Sequence, residues 1–370
     1  MYQGLRNDTG AIAAAFYGQP SQALDVIAIT GTNGKTSTAW WLTQALAKTL
    51  PAGAGMVGTL GVGRCVNGQL DAQATGLTTP DPVVLQHHLR QWADQGISAC
   101  VMEASSIGIE EHRLDSTRIH TAVFTNFTQD HLDYHDSMQA YWLAKRKLFA
   151  WPGLQAAVIN IDDAYGRRLA EMFSGRMAVK TYGSALGADF RMLVHHATAK
   201  GSEYELEYKG KSYLVRVPLI GKFNMYNSLA ALAAVICAGI PVRDAIANLQ
   251  NIPQVPGRLE LFTHPGGAQI FIDYAHTPDA LENVCKTLKE LCSRRLITVF
   301  GCGGDRDRGK RPLMGAAAAR LSDACIVTSD NPRSEEPLSI ISQIAAGMPE
   351  GRYAIIPDRA RAIATAIEQA

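Results

Sequence analysis

The sequence predicts an α/β protein with two successive domains, each built on a mostly parallel β-sheet. Three observations lead to this prediction. Short apolar runs alternate with amphipathic stretches along most of the chain, which is typical of βαβ units. Residues 251–257 contain two prolines and a glycine, interrupt this alternation and indicate a domain boundary. The length of 370 residues corresponds to two or three domains of about 150 residues each.

The elements of the first domain follow from the spacing of apolar residues. Apolar runs predict buried strands, and amphipathic stretches predict the helices that connect them. Two alternating stretches around Lys209-Gly210-Lys211 predict a β-hairpin added to this domain within residues 186–219. The predicted strands are residues 26–30, 97–102, 121–125 and 156–161, and the predicted helices are residues 40–50, 138–149, 163–173 and 224–238.

A second alternation of the same kind follows the boundary. It predicts an open, doubly wound, Rossmann-like α/β domain. The predicted strands are residues 270–273, 297–300, 325–328 and 353–356, and the predicted helices are residues 279–291, 312–321, 338–348 and a last one that runs to the C-terminus.

Composition and charge exclude several classes of protein. Lys and Arg total 35 and Asp and Glu total 34, and this balance predicts no basic surface for nucleic acid or membranes. The longest apolar runs are far shorter than the roughly 20 residues that cross a bilayer, and the first eight residues lack the apolar core of a secretory signal. The seven cysteines are odd in number and lack C-x-x-C spacing. We therefore expect a cytoplasmic protein with buried free thiols, without zinc or disulfides.

A glycine-containing loop follows the first predicted strand. The strand at residues 26–30 runs into Gly31-Thr32-Asn33-Gly34-Lys35-Thr36 and then into a helix, an arrangement that forms an anion cradle. Lys35 can neutralise β- and γ-phosphates, and the Thr36 hydroxyl can reach Mg²⁺. The Walker pattern is incomplete because Ile29 occupies the position of its first glycine. A simple glycine turn is the alternative, but Lys-Thr between strand and helix favours a P-loop-type ATPase.

Polar residues follow two later strands of the first domain. Glu103 closes one strand, and Asp130 and His131 follow the next. A carboxylate and an imidazole there could share Mg²⁺ with nucleotide phosphates, although caps and turns explain such residues equally well. The stretch from His131 to His135 is not H-E-x-x-H, which argues against a zinc hydrolase. Lys145 lies within a basic helical cluster, whose spacing alone indicates a solvated face.

Together these motifs resemble those of the Mur ligases, ATP-dependent amide ligases of peptidoglycan synthesis. The resemblance spans nearly the whole chain. Residues 78–80 (Thr-Thr-Pro), 301–307 and 330–333 (Asp-Asn-Pro-Arg) are similar to the branch that adds meso-diaminopimelate to a UDP-N-acetylmuramoyl dipeptide. The other stretches that match in family order are residues 30–36, 103–106, 131–135, 224–227, 257–260 and 273–276.

The resemblance implies an ATP and metal site with two Mg²⁺ ions. It implies that Lys145 is carbamylated, which would turn a cation into an anionic oxygen donor for the second ion. It implies catalytic roles for Lys35, Lys145, His131 and Glu103, and metal ligation by Thr36, Glu103, His131 and Lys145. The implied ATP contacts are Gly31, Thr32, Asn33, Gly34, Lys35, Thr36, Ser37, Asn224, Asn227, Arg258, Asp273 and His276.

The resemblance also implies two substrate sites. Arg306 and the Asp-Asn-Pro-Arg motif would grip diaminopimelate, because a planar guanidinium holds its distal carboxylate bidentately and lysine has no such carboxylate. Two positions depart from common family residues, since Glu111 replaces a glutamine and Ile107 a histidine. The implied contacts are Thr78, Thr79, Ser105 and Arg113 for the UDP-sugar peptide, and Arg306, Asp330, Asn331, Pro332 and Arg333 for the amino acid.

The implied reaction begins with transfer of the ATP γ-phosphoryl group to the D-glutamate γ-carboxylate. The diaminopimelate amine then attacks the acyl phosphate and phosphate leaves, while Mg²⁺ and Lys35 offset the crowded negative charge. With the nucleotide on one domain and the amino acid on the other, the domains would have to close.

Three alternatives stay open at this point. They are a lysine-adding ligase, a folylpolyglutamate synthase with the same ATP loop, and a non-catalytic nucleotide-binding fragment. The third stays open because family members carry an additional N-terminal UDP-binding domain and a later Gly-Lys-Gly-His-Glu stretch, which these 370 residues do not match. We expect a monomer. We also expect residues 1–24 to be a remnant of that domain and a linker, residues 25–252 to be the central ATP-binding domain, and residues 253–370 to be an incomplete C-terminal amino-acid-binding domain.

Overall fold

The structure, a computed structural model, describes residues 4–198 and 201–370. The chain forms two compact units. The main boundary between the units falls between Pro253 and Gln254, within residues 251–257, which interrupt the sequence alternation. The short segments 128–138 and 220–222 also belong to unit 2.

The sheet of unit 1 has a parallel centre and antiparallel edges. Within the described residues this sheet has eleven strands, numbered β1 to β11 along the chain. Their order across the sheet is β11-β10-β9-β8-β7-β6-β1-β5-β2-β3-β4. The strands from β9 to β2 in that order are parallel to their neighbours, whereas β2-β3-β4 and β9-β10-β11 are antiparallel. The strands are β1 (Asp25–Thr30), β2 (Ala54–Gly58), β3 (Gly61–Val66), β4 (Gln69–Gln73), β5 (Ala99–Glu103), β6 (Thr121–Phe124), β7 (Ala156–Asn160), β8 (Ala178–Gly183), β9 (Phe190–Thr198), β10 (Gly201–Tyr208) and β11 (Lys211–Val217).

The predicted hairpin is confirmed as β10 and β11. Its two turn residues, Lys209 and Gly210, both have positive φ, as a tight two-residue turn requires. The structure adds β9 to this edge, and it adds the whole antiparallel edge β2-β3-β4, which the sequence analysis did not predict. Strand β4 alternates between exposed and partly exposed residues, and only half of the residues of β3 are buried, so both strands lack the continuous apolar runs of the central strands.

The helices of this half of the chain cover the faces of the sheet. Asp81 caps α3 and Asp163 caps α6, and each side chain accepts two backbone N–H bonds. Helix α2 begins at Lys35 rather than at residue 40, because its polar first turn continues directly from the glycine loop. The helices are α1 (Leu5–Phe16), α2 (Lys35–Ala47), α3 (Pro82–Asp94), α4 (Ser106–Glu110), α5 (Met138–Lys147), α6 (Ala164–Phe173), α7 (Lys222–Cys237) and α8 (Val242–Gln250), with 3₁₀ turns at Pro20–Ala23 and Leu148–Ala150.

Burial explains why the central strands carry continuous apolar runs. All residues of β5 and β6 are buried, as are all residues of β1 after Asp25. Helix α2 packs on β1, β2 and β5, and α6 packs on β7 and β8. A parallel sheet covered in this way presents the carboxyl ends of its strands along one edge, where ligands of α/β proteins bind.

Unit 2 combines an antiparallel hairpin with a parallel sheet. The predicted strand at residues 270–273 pairs antiparallel in this hairpin and does not join the parallel sheet, whose order is β14-β15-β16. Helices α9, α10 and α11 share one apolar core with β14 and β15, and α12 packs on the same two strands. The elements are β12 (Glu260–Thr263), β13 (Gln269–Ile272), α9 (Pro278–Leu291), β14 (Ile297–Phe300), α10 (Lys310–Leu321), β15 (Ala324–Val327), α11 (Pro337–Ala345), β16 (Tyr353–Ile355) and α12 (Arg359–Gln369).

The structure thus confirms the α/β class with an added hairpin. Five of the seven cysteine thiols are buried, and Cys237 and Cys292 are partly exposed. Across residues 4–198 and 201–370, none of the helices has both the length and the apolar character needed to cross a bilayer.

Candidate active site

The glycine loop between β1 and α2 depends on residues that have no side chain. Gly31 and Gly34 have φ angles of +150° and +84°. A Cβ atom on Gly31 would lie 1.9 Å from Thr125 Oγ1, and one on Gly34 would lie 2.2 Å from Asn227 Oδ1. Only glycine fits these close approaches, so the loop is packed tightly against the neighbouring strand end and against α7.

Side chains that follow β6 hold the loop in place. The Asn33 N–H donates to Asn126 Oδ1 at 2.8 Å, and Asn126 Nδ2 donates back to the Asn33 carbonyl at 3.0 Å. Thr125 Oγ1 donates to the same carbonyl at 2.6 Å. The loop is therefore pre-organised by its neighbours, as an anion-binding loop at a helix N-terminus requires.

Two lysine ammonium groups converge on this loop. Lys35 Nζ donates to the Gly31 and Thr32 carbonyls, each at 2.9 Å. Lys145 Nζ donates to the Gly31 carbonyl at 2.7 Å and lies 4.5 Å from the centre of the Tyr141 ring. The interpretation of Lys145 as part of a solvated face was wrong, because this residue is only 1% exposed. The buried side of α5 carries it against the loop, and the two cations make the loop attractive to phosphate.

Glu103 is the buried carboxylate next to the loop. Thr36 Oγ1 donates to Glu103 Oε2 at 3.0 Å, and the Thr59 N–H donates to Oε1 at 2.8 Å. A carboxylate beside a threonine hydroxyl is the oxygen donor set that Mg²⁺ prefers. In the chain outside residues 1–3 and 199–200, no three His, Cys, Asp or Glu side chains come together as a metal site.

The four residues expected to hold the UDP-sugar peptide lie together beside Glu103. Thr79 Oγ1 donates to the Glu103 carbonyl at 2.8 Å and is 3.0 Å from Ser105 Oγ. Arg113 Nη1 donates to the Thr79 carbonyl at 3.0 Å. The Thr78 hydroxyl lies 3.0 Å from the Thr59 hydroxyl, and Thr59 is itself bonded to Glu103. Because Thr79 is fully buried, its side chain holds this cluster together from within.

Three predicted ATP contacts, Asn224, Asn227 and Ser37, belong to unit 1, as does Glu111, which was not predicted as a site residue. Glu111, which replaces a common glutamine, forms an ion pair with Arg6. Asn224 and Asn227 are buried near the start of α7, and Asn227 Nδ2 lies 3.4 Å from Asn224 Oδ1. Ser37 is buried in the first turn of α2.

A second group of predicted residues surrounds Asp130 in unit 2. The Asp130 carboxylate lies 3.4 Å from His131 Nε2, 3.7 Å from His276 Nε2 and 3.6 Å from Lys310 Nζ. Burial alone would raise the pKa of Asp130, but the hydrogen bond with His276 and the nearby positive charges lower it well below its usual range. Of the predicted metal ligands, Thr36, Glu103 and Lys145 thus belong to unit 1, whereas His131 belongs to unit 2.

Arg258 precedes the hairpin of β12 and β13 in unit 2, and Asp273 and His276 follow it, so the three residues lie at its open end. Asp273 accepts a hydrogen bond from the Leu259 N–H at 2.8 Å, and burial raises the pKa of the Asp273 carboxyl. The Arg258 guanidinium stacks 5.1 Å from the centre of the Tyr274 ring. His276 Nδ1 lies 2.9 Å from the Tyr274 carbonyl.

The residues expected to grip the amino acid lie on two facing loops of unit 2. The Gly304 N–H donates to the Asn331 carbonyl at 2.9 Å, and Arg333 Nη1 donates to the Gly304 carbonyl at 2.6 Å. Arg306 Nη1 pairs with Asp133 at 3.2 Å. A Cβ on Gly303 would lie 2.9 Å from Arg333 Nη1 and 3.9 Å from Arg306 Cγ, so both arginines flank this glycine. Asp330, Asn331 and Pro332 form the rest of the loop that carries Arg333.

An ion pair that the sequence pattern did not predict joins these loops. Arg311 is fully buried, and its two terminal nitrogens donate to the Glu335 carboxylate at 2.7 and 2.9 Å. Arg311 also donates to the Gly303 carbonyl, and Glu335 accepts the Asp305 N–H. Arg311 ends the Arg-Gly-Lys-Arg run at residues 308–311, directly after the loop at residues 301–307. A run of charged residues predicts exposure, and only the fold shows that Arg311 is buried.

Comparison with known proteins places this geometry in a family. The profile of the Mur ligase middle domain matches residues 29–235, and that of the Mur ligase glutamate ligase domain matches residues 257–370. A UDP-N-acetylmuramoyl-L-alanyl-D-glutamate–2,6-diaminopimelate ligase from Acidovorax sp. is 48% identical, over 100% of this chain and 75% of the relative.

Solved structures agree with the sequence relatives. A structure of a 2,6-diaminopimelate ligase of the same name is 36% identical, with a TM-score of 0.69, and covers 100% of this chain and 76% of that one. A folylpolyglutamate synthase from Mycobacterium tuberculosis, complexed with ADP and AMPPCP, has a TM-score of 0.79 over 97% of this chain and 87% of that one. At 21% identity it shares the fold alone. Because the two domain profiles and the Acidovorax relative match the chain over nearly its whole length, the chain belongs to the Mur ligase family.

Proposed function

We propose that the protein is an ATP-dependent ligase that joins meso-diaminopimelate to UDP-N-acetylmuramoyl-L-alanyl-D-glutamate through an acyl phosphate. The observation that carries this proposal is the convergence of Lys35 and Lys145 on a glycine loop whose backbone is already held in place. A free carboxylate is a poor acylating group, and transfer of the γ-phosphoryl group would supply a leaving group.

The residues of unit 1 fit each part of this step. Lys35, at the N-terminus of α2, would attract the triphosphate and offset charge that develops during phosphoryl transfer. The cluster of Thr78, Thr79, Ser105 and Arg113 lies beside Glu103, where a peptide carboxylate would meet the phosphate.

Thr36 and Glu103 would hold Mg²⁺. Carbamylation of Lys145 would replace its ammonium group with an anionic oxygen donor for a second ion, and metal ligation by His131, in unit 2, stays a prediction. When bound, the ions would neutralise charge between the carboxylate and the triphosphate. The oxygen donors of Thr36 and Glu103 match the preference of Mg²⁺ for carboxylate and hydroxyl oxygen.

The two arginines beside Gly303 support diaminopimelate over lysine as the amino acid. The distal carboxylate of diaminopimelate would accept hydrogen bonds from Arg306 or Arg333 in a bidentate geometry. Lysine offers only an ammonium group at that end, which two guanidinium groups would repel.

The free thiols also fit the reducing cytoplasm, where we propose the protein works.

The first experiment replaces Lys35 and measures ATP-dependent release of phosphate with both substrates present. We expect Lys35→Ala to abolish turnover, because the loop loses its contact with the triphosphate. Lys48→Ala is the matched control, since Lys48 follows the other end of α2 and donates to the Asn248 carbonyl. Wild-type turnover by a folded Lys35→Ala variant would refute the assignment of the ATP site.

A second experiment tests the amino-acid substrate with a panel that includes meso-diaminopimelate and lysine. We expect diaminopimelate to give the higher kcat/KM. A higher value for lysine would refute the specificity. Binding of ATP without binding of the sugar-nucleotide dipeptide, measured by calorimetry, would instead favour a nucleotide-binding fragment without catalysis.

A further inference from the structure

A partly buried hydrogen-bond network joins α7 to the ends of β7 and β8. The Asp162 carboxylate accepts hydrogen bonds from the Ser184 N–H and hydroxyl, both at 2.7 Å, and from the Ala185 N–H at 2.8 Å. Tyr226, on α7, donates its hydroxyl to Asp162 Oδ2 at 2.5 Å. Tyr226 is thus the residue through which α7 reaches this network.

The backbone around Asp162 is shaped to bring these groups together. A Cβ on Gly183, whose φ is +149°, would lie 2.6 Å from Asp162 Oδ1. The Asp162 N–H donates to Asn160 Oδ1, and Asn160 Nδ2 donates to the Thr125 carbonyl at 2.8 Å. Thr125 in turn donates to the Asn33 carbonyl of the glycine loop. The network is therefore continuous with the loop that would bind phosphate.

Along the chain, Tyr226 lies between two asparagines that are predicted to contact the nucleotide. Asn224 precedes it by two residues, and Asn227 follows it directly and approaches Gly34 closely. A small shift at the start of α7 would move both amide groups relative to the glycine loop.

We propose that the hydrogen bond from Tyr226 to Asp162 positions the first two turns of α7, so that Asn224 and Asn227 are set for the nucleotide. Tyr226 is a positioning residue in this role and does not contact the reacting atoms. The proposal deepens the proposed function, on which its nucleotide readout rests.

The protonation states favour a permanent hydrogen bond at neutral pH. Burial, together with the hydrogen bond to the Asp162 carboxylate, raises the pKa of Tyr226 to about 12. Burial alone would raise the pKa of Asp162, but the bonds from Tyr226, Ser184 and Ala185 lower it below its usual value. A protonated phenol therefore donates to a charged carboxylate, the stronger class of hydrogen bond.

The test compares Tyr226→Phe with Tyr204→Phe. Tyr204 is buried, and its hydroxyl lies 3.2 Å from Ser228 Oγ on the same helix. Because Ser228 is two residues beyond Tyr226, it lies on roughly the opposite side of α7. Each variant removes one hydrogen bond that ties α7 to another element. Tyr226→Phe removes the bond to Asp162, and Tyr204→Phe removes the bond to Ser228, which keeps its bond to the Met225 carbonyl.

We expect Tyr226→Phe to raise the KM for ATP about 5- to 20-fold, because only part of the free energy of a hydrogen bond to a charged group would be lost from nucleotide binding. The KM for the amino acid should change less than about twofold, because its loops are in unit 2. Tyr204→Phe should lower the melting temperature and leave the KM for ATP within about twofold. An unchanged KM for ATP in Tyr226→Phe, or an equal rise in both variants, would overturn the proposal.

Hydrogen–deuterium exchange separates this proposal from the proposed function. Tyr226→Phe should speed amide exchange in residues 222–228 relative to the wild type, whereas Tyr204→Phe should do so less. This result would support the positioning of α7 even if the wild-type chain had no ATP-dependent turnover, which would refute only the proposed function. Equal exchange at the start of α7 in the wild type and Tyr226→Phe would refute the positioning role.

Discussion

Replacement of Gly34 by alanine tests the close packing of the glycine loop against α7. Gly34 has a φ of +84° and caps the N-terminus of α2. The added Cβ would lie 2.2 Å from Asn227 Oδ1. Carbon contacts are comfortable near about 3.5 Å, so the loop and the Asn227 amide would have to move apart by more than about 1 Å.

Two costs combine in this variant. Left-handed backbone costs an L-residue about 1–2 kcal/mol, and alanine recovers about 0.4–1 kcal/mol by restricting the unfolded chain. Forcing a carbon into a packed site costs about 1–3 kcal/mol more. Each kcal/mol lowers the melting temperature by about 2–4 °C in a unit of this size. The second cost also displaces a predicted nucleotide contact, so we expect ATP to bind more weakly.

Gly153→Ala is the matched control for the backbone cost. Gly153 has a φ of +79°, and an added Cβ would have no neighbour within 4 Å. The assay is a thermal unfolding curve for each variant, followed by calorimetric titration with ATP. Gly34→Ala should melt several degrees below Gly153→Ala and bind ATP at least about tenfold more weakly, whereas Gly153→Ala should bind ATP like the wild type.

A double variant identifies the contact responsible. Gly34→Ala combined with Asn227→Ala removes the collision and should recover the steric part of the stability loss, although not the ATP contact of Asn227. Equal melting temperatures for Gly34→Ala and Gly153→Ala, with unchanged ATP affinity, would refute the packing argument. Failure of the double variant to recover stability would show that Asn227 is not the obstacle.

Three further outcomes are expected. Thr79→Val should lower the free energy of unfolding by about 1–3 kcal/mol in urea titrations, because the buried Glu103 carbonyl loses its donor, and Thr79→Ser, which keeps the hydroxyl, should lose clearly less. The ion pair with Arg311 lowers the pKa of Glu335 to about 2, so this pair stabilises the fold above about pH 4.5 and is lost as the pH falls through about 2. Melting curves of Glu335→Gln should thus depend less on pH across that interval than those of the wild type, and parallel curves would contradict the assignment. Arg333→Lys should raise the KM for diaminopimelate more than the KM for ATP, because lysine cannot bind a carboxylate bidentately, and equal changes in both KM values would argue against this contact.

Local patterns were enough to predict most of the fold. Strand β14 lies where the apolar run at residues 297–300 predicted it, and the hairpin of β10 and β11 has its turn at Lys209 and Gly210. These elements could be predicted because burial on both faces, or a two-residue turn, leaves a direct pattern in neighbouring residues. Strands β3 and β4 were missed, since β4 lies at the sheet edge and both strands leave residues exposed, so neither has a continuous apolar run.

The candidate site was predictable only in part. The loop from Gly31 to Thr36 is contiguous, so strand, glycines and Lys-Thr could be recognised together. Lys145 shows the limit of spacing, because a basic cluster on a helix predicts exposure until the packing of that helix is known. Arg311 and Glu335 are 24 residues apart in the chain, and nothing in their local sequences pairs them.

Local patterns alone were enough to recognise the alternation of buried strands and helices, the anion-binding loop and the motifs that identify the family. Which distant groups meet was visible only in the fold: Lys145 at the Gly31 carbonyl, Thr79 at the Glu103 carbonyl, Arg311 with Glu335, and Tyr226 with Asp162. The physical reason is that backbone periodicity and turn chemistry act between near neighbours in the chain. Burial and hydrogen-bond pairing of distant side chains depend on how the elements pack, which local patterns do not encode.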